Sequence, residues 1–129
     1  MDTLGNLALV GLGACFGTVG RYAASRLAWT VSGAKMPLGT LLVNLIGSFG
    51  IGVSMLLALR LGWPDSWLAL VVYGLLGGLT TFSTLAFETM QLFNDRSPGL
   101  SALNLSAHLL FGVIAAWSGW TAGAWWISL

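Results

Sequence analysis

Asn44 stands in the middle of an uncharged run, Gly39-Thr40-Leu41-Leu42-Val43-Asn44-Leu45-Ile46-Gly47-Ser48. A primary amide among apolar neighbours must find partners, its NH2 donating and its oxygen accepting. It serves either as an interhelical hydrogen bond or as a donor lining an aqueous path. The second chemical feature is Gly77-Gly78-Leu79-Thr80-Thr81-Phe82-Ser83-Thr84. Gly and Thr rank low in helix propensity, so this stretch is expected to interrupt a helix near the middle of a membrane. Irregular backbone at that depth is tolerated only inside protein or against a water-filled cavity, where freed carbonyls can coordinate a cation. Phe82 beside such a break can offer its ring edge, the positive end of the aromatic quadrupole. The bland alternative is a plain kink in a structural helix.

The charged side chains are few. Arg21 is costly at membrane depth and marks a functional site by default, against the alternative of a snorkelling side chain near a span end. Arg26 fits the snorkelling description. Glu88 lies about one and a half turns beyond Phe82 and suits a structural or cavity-mouth role. His108 is the only histidine, which leaves it without a metal-binding partner and favours packing or a vestibule. One cysteine, Cys15, excludes an internal disulfide framework and a cysteine-based zinc site. No nucleophile, base and orienting group converge, and no phosphate loop occurs, so the chain is not read as an enzyme. A net charge of +1 without a basic cluster excludes a nucleic-acid footprint.

These groups must be positioned by apolar helices. The chain has 129 residues, 57% hydrophobic and 7% charged, where a soluble domain carries about 25% charged residues. Its mean hydropathy is +0.87. Nine charges leave uncharged gaps at 3–20, 36–59, 66–87 and 97–129, and a helix needs roughly 20 apolar residues to cross a bilayer. The first gap has the length of a secretory signal, but it is preceded by Asp2 without Lys or Arg and is followed by further spans, so it is read as a span. Four spans are predicted, from about Leu4 to Trp29, Leu38 to Leu61, Ser66 to Phe93 and Leu100 to Ile127, forming one four-helix transmembrane domain over residues 1–129. Loops are expected at 32–37, at 62–65 with Pro64 in the first turn of the next helix, and at 94–99.

Gly11, Gly13, Gly17 and Gly20 give span one a small side, Ser48 and Gly52 do so for span two, and Ala115, Gly119 and Gly123 make a stripe on span four. Small residues let helix backbones approach closely in lipid. Trp29, Trp63, Trp67, Trp125 and Trp126 lie near span ends, as aromatic belts do. Arg60 on one side against Lys35, Arg96 and Arg26 on the other gives a weak orientation bias. Such a chain can insert both ways, and two copies would then form an antiparallel dimer.

Gly17-Thr18-Val19-Gly20-Arg21-Tyr22, the run from Gly39 to Ser48 and the run from Gly77 to Thr84 resemble the signature blocks of the Fluc (CrcB) fluoride channels. The resemblance covers essentially the whole chain. It implies an all-α membrane protein with a broken third helix, an antiparallel homodimer, and two fluoride pores lined by both subunits. It implies Asn44 as a pore donor, Phe82 as a ring-edge contact, Ser83 and Thr84 as hydroxyl positions, and Arg21 in the vestibule. Gly77 and Thr80 carbonyls would hold a structural sodium ion at the dimer interface, with Thr40, Glu88 and His108 as polar support. Two departures stand out. Leu85 occupies the place of a second Phe, and Gly112 and Ala116 stand where hydroxyl residues usually extend a polar track, leaving Ser106, His108 and Ser118 as polar candidates on that span.

The implied function is passive fluoride efflux in a bacterial cytoplasmic (inner) membrane, which lowers fluoride toxicity. Fluoride holds its water strongly, so a selective pore must replace that shell with donors. Hydrogen fluoride crosses membranes and dissociates in a neutral cytoplasm, and the negative membrane potential drives the anion out through a leak. The rival readings are a small four-helix multidrug transporter, disfavoured because span one holds no buried acid, and a non-transporting assembly subunit, which leaves the polar stretch of span three unexplained.

Overall fold

The computed structural model describes residues 3–32 and 37–129, without the side chains of Trp29, Val31 and Ser32. Asp2 and the expected loop residues 33–36, Lys35 among them, lie outside that description. All regular structure among the described residues is helical. Four stretches are long and apolar enough to cross a membrane: Thr3–Ala28, Leu38–Leu61, Asp65–Asn94 and Pro98–Ser128. Helix α1 covers Thr3–Ser32 and α2 covers Leu38–Leu61. The third stretch is composite: α3 (Asp65–Trp67), a π-wound segment (Leu68–Leu76), α4 (Gly77–Leu79) and α5 (Phe82–Asn94). Helix α6 (Pro98–Ser128) completes the chain. At 1.5 Å per residue, α2 is about 36 Å long, sufficient for a hydrocarbon core of about 30 Å.

The ends follow local chemistry. Gly62 closes α2 with φ 64° and ψ 48°, and its N–H bonds the Ala58 carbonyl. That left-handed conformation costs glycine nothing. Pro64, expected inside the next helix, instead precedes it in extended conformation with φ −67° and ψ 152°. The expected turn at 94–99 is shorter in the structure. Asn94 still belongs to α5, while Pro98 and Gly99 already belong to α6, because a proline fits the first helical position, where its missing N–H has no partner to lose. Helix α1 runs three residues past the expected end at Trp29.

Two pairings build the bundle. In the first, α1 lies along the third stretch. A Cβ on Gly13 would strike the Leu70 carbonyl, and one on Gly17 the Leu75 carbonyl; one on Gly78 would lie 2.8 Å from the Ala14 carbonyl. The small side expected on span one is therefore narrower than its four glycines suggest. Gly11 faces open space, and Gly20 has only a Leu79 methyl at 3.9 Å. In the second pairing α2 crosses α6: a Cβ on Gly52 would meet the Ala116 carbonyl, one on Gly119 the Phe49 carbonyl, and one on Gly123 a Leu56 methyl at 3.0 Å. Gly39 joins the two pairings, 2.9 Å from the Ser25 Cα on α1 by the same measure.

The buried apolar core is small, with Val43, Leu56, Ala69, Val72, Leu85 and Ala107 as its members. Large apolar side chains on every span are exposed, among them Phe16, Ile46, Tyr73, Phe82 and Phe111. A water-soluble chain of this size would bury such residues; in a bilayer they face lipid or another helix.

Candidate functional site

The site is built where the third stretch leaves helical geometry. Thr80 has φ −84° and ψ 155°, and Thr81 has φ −153° and ψ 121°, so both are extended between α4 and α5. In a continuous helix the Thr81 N–H would bond the Gly77 carbonyl. Here it donates instead to Asn44 Oδ1 at 2.7 Å, and Asn44 Nδ2 donates back to the Thr81 carbonyl at 3.1 Å. One amide on α2 thus takes up the Thr81 N–H that the interruption strands, and it adds a second donor to the Thr81 carbonyl, which as the N-cap carbonyl also starts the α5 ladder. Buried backbone groups without partners cost about 1–3 kcal/mol each, which is why an amide, with a donor and an acceptor on one short side chain, suits the position.

Thr81 also starts the next helix. Its Oγ1 accepts from the Thr84 N–H at 3.2 Å, an N-cap bond. The Thr80 carbonyl consequently loses the donor that a continuous helix would give it. The Thr81 hydroxyl lies 3.1 Å from both Ser83 Oγ and Thr84 Oγ1, so three hydroxyls cluster at the start of α5. Thr80 turns its hydroxyl back to the Leu76 carbonyl at 3.1 Å. Gly47 lets α2 approach this point, since a Cβ there would strike Thr80 Cγ2.

Two cavities meet at Thr81. The first, a groove of about 320 Å³, is lined by residues of α2 (Asn44, Ser48, Ile51), of the interruption and α5 (Thr80, Thr81, Phe82, Leu85), and of α6 (His108, Leu109, Gly112). Asn44 Nδ2 has two hydrogens, and the bond to Thr81 takes one. The second cavity, about 240 Å³, is lined by Thr18, Arg21, Tyr22, Ser25, Thr81 and Thr84. Arg21, far from Asn44 in sequence, is therefore brought to the other side of the same threonine.

The remaining expected residues divide. Leu85 is 4% exposed and lines the groove, whereas Phe82 is 74% exposed. Thr40, buried, donates to Glu88 Oε1 at 2.6 Å, and Glu88 Oε2 is buried without a partner among the described residues. Gly112 lines the groove and Ala116 does not. Of the polar candidates on α6, His108 lines the groove, while Ser106 and Ser118 do not. Among the described residues no group of three His, Cys, Asp or Glu is placed to hold a metal.

Two residues were not singled out from sequence. Thr81, inside the quoted run, joins both cavities; the available signal was a threonine directly before a helix-forming segment, the pattern of an N-cap. Asn104 is fully buried, its Nδ2 donating to Thr89 Oγ1 at 3.0 Å. Beside it Ser101 Oγ donates to the Thr89 carbonyl at 2.8 Å. These bonds tie α6 to α5 below the groove.

Comparison with known proteins places the chain. The model of the family described as CrcB-like protein, Camphor Resistance (CrcB), matches residues 8–120. A protein of Methanopyrus kandleri named fluoride-specific ion channel FluC is 44% identical over 119 residues, covering 90% of this chain and 87% of that one. Proteins of the same name from Magnetococcus marinus and Agrobacterium fabrum are 41% and 38% identical, covering 91% and 92% of this chain and 96% and 95% of their own lengths. With the match spanning all four membrane-length helices and the Asn44–Thr81 interruption, this chain belongs to the CrcB-like family.

Proposed function

We propose that this protein is a fluoride-selective channel that lets fluoride leave the cytoplasm passively and so reduces its toxicity. The observation that carries the reading is the Asn44 amide. It is fixed by two bonds to the Thr81 backbone and retains one N–H for the groove, and the name shared by the relatives agrees with such a donor. Fluoride sheds water only for strong donors. The groove supplies that N–H and Ser48, while Thr81 and Thr84 of the hydroxyl cluster line the cavity that Arg21 also lines. Arg21 raises the local anion concentration there. Phe82 presents its ring edge to the ion, and Leu85 gives no second edge. Thr40 and Glu88 form polar support beyond the groove.

The interruption at Thr80 and Thr81 lies near mid-membrane in this reading, and the functional unit is an antiparallel homodimer. The exposure of Gly77 and Phe82 supports a second copy covering that face. The Gly77 and Thr80 carbonyls, released from helical donors, fit a hard cation of the sodium type; bound there, sodium would fix the two interruptions against each other without being transported. The whole chain acts as one multi-pass domain in the bacterial inner membrane. No energy source is needed, because a potential of 100 mV is worth about 2.3 kcal/mol per charge, a concentration ratio of roughly fifty.

Protein reconstituted in liposomes loaded with fluoride and chloride tests this. Fluoride should leave rapidly on collapse of the electrical restraint while chloride stays. Equal release of both would refute selectivity, and release of neither would favour the assembly subunit.

A further inference from the structure

Helix α6 contributes His108, Leu109 and Gly112 to the groove, so His108 is its only polar side chain there among the described residues. The facing part of α5 contributes Phe82 and Leu85, neither with a donor. An imidazole only 8% exposed is a costly occupant of that wall. Its Nδ1 lies 2.9 Å from the Asn104 carbonyl. A carbonyl can only accept, so Nδ1 carries a hydrogen whether the ring is neutral or charged. Nε2, buried and without a partner among the described residues, is then the ring atom whose hydrogen distinguishes the charged from the neutral form. Neutral, it offers a lone pair, which repels an anion; charged, the ring supplies a cationic N–H.

Few other charges act on it. Among the described residues α6 lies only against α2 and α5. Helix α6 has no Asp, Glu, Lys or Arg, α2 has only Arg60 near its far end, and α5 has only Glu88, whose Oε1 is held by Thr40. We propose that His108 sets a pH-dependent charge in the wall of this groove, imidazolium drawing fluoride in where the α6 wall lacks hydroxyls and α5 lacks a second ring. The proposal rests on the fluoride-channel reading. It gives the leak most conductance in acid, the condition in which hydrogen fluoride enters fastest.

The test is fluoride release from liposomes at symmetrical pH between about 6 and 8, with release from protein-free vesicles subtracted to remove hydrogen fluoride leak. Release by the unsubstituted protein should rise roughly three- to tenfold from pH 8 to pH 6, and His108→Gln should abolish the rise. A flat profile in the unsubstituted protein, or an unchanged rise in His108→Gln, would overturn the proposal. Should the variant fail to fold, the imidazole proton resonance of the single histidine in detergent micelles decides. Fluoride should shift it at pH 6 and gluconate should not; an unmoved signal at pH 6 overturns the proposal. Fluoride release that ignores pH refutes His108 alone, whereas folded protein that releases none at any pH refutes the channel reading with it.

Discussion

The α2–α6 crossing and the interruption at Thr80 and Thr81 are both rich in small residues, and they use them in opposite ways. At the crossing, Gly52 and Gly119 bring two helix backbones into contact while each helix keeps its own ladder of hydrogen bonds. At the interruption, Thr80 and Thr81 turn extended between α4 and α5, and the partners that the Thr81 and Thr84 N–H groups lose are supplied by Asn44 and by the Thr81 hydroxyl. The first is a packing device, whose energy is dispersion between close surfaces. The second is a polar device, whose energy is the avoided cost of stranded backbone groups. Small residues alone therefore do not distinguish a seam from a site in a membrane helix; the destination of the backbone N–H and carbonyl groups does.

Substitutions can break this contrast, and the largest effect is expected at the seam. Gly119→Leu must separate two backbones, since even a Cβ strikes the Phe49 carbonyl. A loss of about 3 kcal/mol is expected, seen as disappearance of the folded peak in size-exclusion chromatography. Asn44→Ala should cost about 2 kcal/mol by stranding the Thr81 N–H, yet keep the folded peak and lower fluoride flux at least about tenfold through the lost donor. Unchanged flux would return Asn44 to a purely interhelical role. Thr81→Val removes only the cap and one hydroxyl, so about 1 kcal/mol is expected in thermal unfolding, with Thr81→Ser close to the unsubstituted protein. Equal behaviour of the two variants would show that the hydroxyl does not matter. The smallest effect belongs to Gly11→Ala, which meets nothing within 4 Å and should leave stability within about 0.5 kcal/mol. A large loss there would mean that a second copy covers that side of α1.

Much of the fold was legible because the membrane makes length and charge decisive. Uncharged gaps between nine charges locate the spans, and α2 has the predicted bounds Leu38–Leu61. The errors fall where local chemistry competes, as at Pro98, read as turn yet placed as the first residue of α6. The π winding of Leu68–Leu76 has no signal in a run of apolar residues. Nor does sequence separate Gly13 and Gly17, which touch backbone, from Gly11, which touches nothing, because all four glycines lie on the same helix and only the neighbour's position selects among them.

For the site, composition named the residue types and the fold assigned their partners. The low helix propensity of residues 77–84 and the isolation of Asn44 among apolar neighbours are intrinsic to the chain, and they require an answer to where polar groups go in a medium without water. That the answer is a pair of bonds between Asn44 and Thr81, 37 residues apart, was decided only when α2 came against the third stretch at Gly47. The same holds for Arg21 and Thr84 sharing one cavity and for His108 entering the wall of the other. Sequence determined that this chain lives in a bilayer and carries uncharged donors, since hydrophobicity and charge are sums over residues. Tertiary structure decided which donors converge, since convergence depends on helix crossings that no single segment contains.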